Sequence, residues 1–236
     1  TAFTVVAALS YNQPVIAHIG LVGAYGVPFL LSTGSGRVDI LFSYMAIINV
    51  GILVIAFKRY WKSLYYLAFG LTWAIYMAWY GGSYYSDKHF GLALFFSLVF
   101  FVTFYITFLA YKLARKEPFE VLDVILLLIN SFTYYGIGYA VLESEEFAQP
   151  YQGAFTLANA MLHFCVAVVM FRRQVPDKNV FFLIAGLVLV FITITIPVQL
   201  DGSWVTLLWI GEAALTFWIG RSRQQVVYER ISYALI

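Results

Sequence analysis

The chain has 236 residues, of which 62% are hydrophobic and only 11% charged, with a formal net charge of +2. A soluble domain usually carries about 25% charged residues, and a water-facing fold of this size cannot hide so much apolar surface. That composition excludes a soluble globular protein, and the net charge by itself says nothing about nucleic acid, which is not an expected partner; the expected partner is the lipid bilayer, acting as apolar solvent.

Taken in chain order, runs of the roughly 17–25 apolar residues that a span requires occur at Val15–Ser32, Val38–Phe57, Leu64–Tyr80, Gly91–Leu113, Val121–Leu142, Ala154–Phe171, Val180–Val198 and Trp204–Gly220. The first holds Gly20, Gly23, Gly26 and Pro28, so it is either a full span or a broken, partly inserted one. Strict alternation of apolar and polar residues, which a membrane β-barrel strand needs, is missing. The predicted fold is therefore all-α: a polytopic transmembrane helical bundle of about eight full spans. The end runs Thr1–Leu9 and Ile231–Ile236 read as partial spans. Residues 1–236 are expected to form one transmembrane region, an internal segment of a longer multi-pass protein whose further spans, or other membrane proteins, would be its partners.

Charge placement fixes an orientation. Twelve of the 14 basic residues fall in the connections 58–63, 112–120, 172–178 and 221–230; only Arg37 and Lys88 lie between the others. Short basic loops stay on the cytoplasmic side, so these four are expected there, in a bacterial inner membrane. Tyr60, Trp61, Tyr65, Tyr66, Trp79, Tyr80, Tyr84 and Tyr85 fall where the scheme puts interfaces and read as interfacial anchors. Cys165 is the single cysteine; within its apolar run it reads as a small buried hydrophobe.

No phosphate-binding loop, His-Glu-x-x-His or paired-Cys motif is present, so no metal or other cofactor is expected and no catalytic residue is assigned. What remains is polar residues at membrane depth, which are costly enough to count as functional candidates. Glu212 lies about 12 Å beyond Trp204 at ~1.5 Å per residue, near mid-bilayer, beside Gly211, Ala213 and Ala214. It could carry a proton or bind a cation, or simply hydrogen-bond a neighbouring helix. Gln152, Thr156, Asn159 and His163 share one helix face, and Asp123, Asn130 and Tyr134 share another. These stripes could line a polar path or tie helices together; Asp123, in a first turn, also suits a helix N-terminus. In the outer turn Gln199–Ser203, Pro197 marks the end of one helix and Asp201 either binds a ligand or caps the next. Glu143, Glu145 and Glu146 read as a solvated loop.

Two segments carry a resemblance. Pro14 to Tyr44 and Ile196 to Gly220, above all the string L-D-G-x-W-x-x-x-x-W-x-x-E from Leu200 to Glu212, resemble domain-of-unknown-function family 2339. That family comprises predicted multi-pass bacterial membrane proteins, longer than this chain. The resemblance implies a membrane protein and carries no activity over. Asp201, Gly202, Trp204, Trp209 and Glu212 match its pattern. Three functions are therefore carried forward in order: transport or permeation of a small solute or ion, with Glu212, Asn159 and His163 at a polar centre; a membrane scaffold without catalysis; and an enzyme acting on lipid-linked or envelope glycan, with Asp201 at its outer face. The ordering leans away from an enzyme.

Overall fold

In lipid, no water satisfies a free backbone N–H or C=O, so long apolar segments close their hydrogen bonds internally as helices. The computed structural model describes residues 10–30, 37–58, 61–115, 119–172, 178–200 and 203–234. They contain α1 (Pro14–Leu30), α2 (Val38–Lys58), α3 (Lys62–Ser83), α4 (Ser86–Arg115), α5 (Val121–Glu143), α6 (Gln152–Arg172), α7 (Lys178–Gln199), α8 (Ser203–Arg223) and α9 (Val226–Ala234). A single 3-10 turn, Gln149–Tyr151, precedes α6, and no strand occurs among the described residues. Each of the eight predicted runs, within the described residues, falls on a helix of its own. Six, α2 and α4 to α8, are long and apolar enough to cross a membrane, so "about eight" is approximate.

The two that fall short do so for different reasons. α1 has 17 residues with Pro28 inside it. α3 has 22 residues but is diluted by Tyr, Trp, Thr and Gly. Its Leu64, Tyr65, Ala68, Phe69, Thr72, Trp73, Tyr76 and Trp79 are all buried. Steps of three and four among them make a broad inward face. Tyr65 and Trp79 are thus not the interfacial anchors their positions suggested. Tyr65 is fully buried and its hydroxyl accepts from the Trp61 backbone N–H at 3.1 Å.

The chain divides into two compact units, Thr1–Val141 and Leu142–Ile236. In the first, α2 packs on α4 and the rings of Phe42, Tyr76, Trp79, Phe96 and Phe100 form one cluster, with Phe42 centroids 4.9 to 5.8 Å from the other four. Lys62 on α3 pairs with Glu120 ahead of α5, so the starts of α3 and α5 meet at one end of this unit. In the second, α6 packs closely along α7, and His163 stacks flat on Phe191 at 5.3 Å. Gly153 makes room at the start of α6: a Cβ there would sit 2.7 Å from Gln199 Cβ. Phe171 lies 6.4 Å from Phe181, and Phe182 lies 6.3 Å from Tyr228, so the last turn of α6, the first turn of α7 and the start of α9 lie at one end of this unit. Cys165, expected to be buried, is exposed. On a helix that is apolar all round, a lipid-facing position reads like a core position.

α8 ends in a Schellman turn. Gln225 N–H donates to Gly220 C=O at 2.9 Å, and Gln224 takes a left-handed φ of 52°. That conformation suits Gly and strains a residue with a Cβ. Gln224→Gly is therefore expected to stabilise the α8–α9 corner by about 0.5–1 kcal/mol, read as a later unfolding midpoint in detergent.

Candidate functional site

The most informative polar cluster joins α7 to α8 in the second unit. A proline has no N–H, so Pro197 inside α7 leaves the carbonyl four residues back, that of Thr193, without its helical donor. The indole N–H of Trp209 on α8 fills that vacancy, donating to Thr193 C=O at 3.2 Å. One turn further along α8, Glu212 Oε1 lies 2.7 Å from Thr193 Oγ1. Trp209 and Glu212, three apart and so on one face, grip the same residue of α7 by its backbone and its hydroxyl. Thr193 Oγ1 also lies 2.9 Å from Leu189 C=O. Glu212 Oε2 is buried with no hydrogen-bond partner. Pro197 thus does not end its helix as the sequence suggested: α7 continues to Gln199 because the lost bond is replaced from α8.

The stripe on α6 is inward-facing. Thr156, Asn159 and His163 are buried, packed on the α7 side through the His163–Phe191 stack. Thr156 Oγ1 donates back to Gln152 C=O at 2.8 Å and Asn159 Nδ2 to Phe155 C=O at 2.9 Å. Asn159 Oδ1 is left buried without a hydrogen-bond partner. This is a one-sided polar seam whose donors are largely spent on its own helix.

The stripe on α5 belongs to the first unit and bonds there. Asn130 accepts from Trp73 Nε1 at 3.1 Å and donates to Phe101 C=O at 3.0 Å, tying α3, α4 and α5. Tyr134 stacks on Phe101 at 4.5 Å. Asp123 accepts from Tyr66 Oη at 2.8 Å and from Glu120 N–H at 2.9 Å, the backward reach of a capping box. It also forms a fully buried ion pair with Lys112, a residue grouped by sequence with the basic loop. A further polar knot had no sequence signal linking its members. Tyr25 Oη on α1 lies 2.6 Å from both Asn49 Oδ1 on α2 and Thr72 Oγ1 on α3, and Asn49 Nδ2 donates to Thr72 at 3.0 Å. Such bonds between membrane helices contribute about 0.6–2 kcal/mol each.

Trp204 opens α8 largely exposed, and Asp201 and Gly202 lie outside the described residues. Thr193 was not singled out by sequence, although a Thr four residues before a membrane proline was the available signal.

A family model described as "Predicted membrane protein (DUF2339)" matches residues 1–236. No curated protein and no solved structure matches the chain.

Proposed function

The chain belongs to the DUF2339 family of predicted membrane proteins, and on that premise we propose that it moves a small ion, a proton or a small cation, through its second unit with Glu212 as the exchangeable group. The observation carrying this reading is the carboxyl of Glu212 itself, held by Thr193 on one oxygen and buried without a partner on the other. A carboxyl at this depth is costly to keep, and a merely structural hydrogen bond would be served as well by Gln or Ser. The buried seam of Asn159 and His163 on α6, in the same unit, supplies a second set of polar groups. In this reading the four basic connections face the cytoplasm of a bacterial cell.

The test is flux in proteoliposomes of the full-length chain, followed with a pH-sensitive dye and with cation-selective dyes. Glu212→Gln is expected to lower flux at least tenfold while the protein elutes unchanged on size exclusion. Full flux in that variant would remove Glu212 from the mechanism. A scaffold role is favoured by one other feature: Trp204, Leu208, Leu215 and Trp218 stand exposed along one face of α8. Wild-type protein that gives no flux for any ion would leave that reading in place.

A further inference from the structure

From the hydrogen bonds around Glu212 we infer that its resting form is the neutral acid, donating its proton to Thr193, so that the exchangeable species is a proton and Thr193 is its positioning residue. The inference rests on the proposed role of Glu212 and names what that group carries. A hydroxyl has one proton and two lone pairs. Thr193 Oγ1 sits 2.7 Å from one acceptor, Glu212 Oε1, and 2.9 Å from another, Leu189 C=O. Were Glu212 ionised, the single Thr193 proton could satisfy only one of them. With Glu212 protonated, the proton on Oε1 goes to Thr193 and the Thr193 proton goes to Leu189. Both short distances are then hydrogen bonds.

The second oxygen points the same way. Glu212 Oε2 is buried and unpartnered. The carbonyl oxygen of a neutral acid tolerates that at far lower cost than an ionised oxygen does. A metal cation has little to hold it. Trp209 already occupies the one carbonyl that Pro197 frees, and Thr216 Oγ1 donates to Glu212 C=O at 2.7 Å. Among the described residues no three of His, Cys, Asp and Glu converge.

The elements packed on α8 bring few charges near. α7 carries one, Lys178 at its start, and α9 carries Tyr228, Glu229, Arg230 and Tyr233, with Glu229 paired to Arg221 at 3.3 Å near the end of α8. On release, the proton leaves Oε1 for water, and the Thr193 hydroxyl rotates its own proton from Leu189 C=O to Glu212 Oε1. No heavy atom has to move far, and the α7–α8 link survives in both states.

Difference infrared spectroscopy on the full-length protein in lipid at pH 7 reads this directly. A carboxylic C=O band is expected, absent in Glu212→Gln and shifted down in D2O as the proton exchanges. Thr193→Val, which removes the acceptor, is expected to move the band up, and Thr193→Ser to return it. A band missing at pH 7, unmoved by Thr193→Val or unmoved in D2O overturns the inference. Absence of flux would instead sink the transport reading and leave this band where it is, so the two failures are told apart.

Discussion

Replacing Asp123 with Ala is expected to destabilise the first unit by about 3–5 kcal/mol, because it strands a buried charge. The Lys112 ammonium and the Asp123 carboxylate are each only 1% exposed. The carboxylate also accepts from Tyr66 Oη and Glu120 N–H, so three donors lose their acceptor together. The ring of Phe119, 5.1 Å from Lys112 Nζ, is a weak substitute, since a cation–π contact supplies about 0.5–2 kcal/mol. Removing both charges should behave differently. A buried pair replaced by apolar side chains of similar volume is often neutral or better, so Lys112→Met with Asp123→Leu is expected to recover most of the loss. Unfolding in mixed micelles, followed by circular dichroism as SDS is added, gives the comparison. A single variant costing under about 1 kcal/mol would mean the pair is solvated rather than buried.

The pair also shows where sequence runs out. The helices were legible because lipid demands them: uninterrupted apolar length decides both existence and rough boundaries. Which way a side chain turns was not. Lys112 belongs by sequence with Arg115 and Lys116, yet it turns inward to Asp123. Tyr65 and Trp79 look like interfacial anchors and are buried in α3, while Cys165 looks buried and is exposed. In a soluble helix, polarity marks the outward face. Here both faces are apolar, and periodicity loses its reference. The knot of Tyr25, Asn49 and Thr72 was illegible for another reason, since its members lie on three helices and pair only once these pack. Glu212 stood out because a carboxylate in a span is conspicuous on cost alone. Its partner Thr193 is one of many threonines, and only the geometry of Pro197 distinguishes it.

Gly220→Ala is expected to pry α9 from α8 at a net cost of about 1–3 kcal/mol, the usual range for overpacking. The two helices run antiparallel past each other: Gly220 faces Glu229, and Phe217 lies 6.1 Å from Tyr233. A Cβ on Gly220 would sit 2.7 Å from the backbone nitrogen of Glu229 and 3.2 Å from its Cα. Backbone inside a helix cannot give way alone, so α9 has to shift as a body. The Arg221–Glu229 ion pair, with Arg221 mostly exposed, contributes about 1 kcal/mol at most and cannot hold the helix against the clash. Helix propensity works in the opposite direction, since Ala is favoured over Gly by about 1 kcal/mol. Gly211→Ala is the matching control on α8: nothing lies within 4 Å of its Cβ position, so that change should be neutral or stabilising. Short thiol cross-linking between Phe217→Cys and Tyr233→Cys, in a Cys165→Ser background, reads the separation. The yield should fall in Gly220→Ala and hold in Gly211→Ala. Equal yields would mean that α9 approaches α8 with room to spare, and that the close backbone contact at Gly220 does not set their spacing.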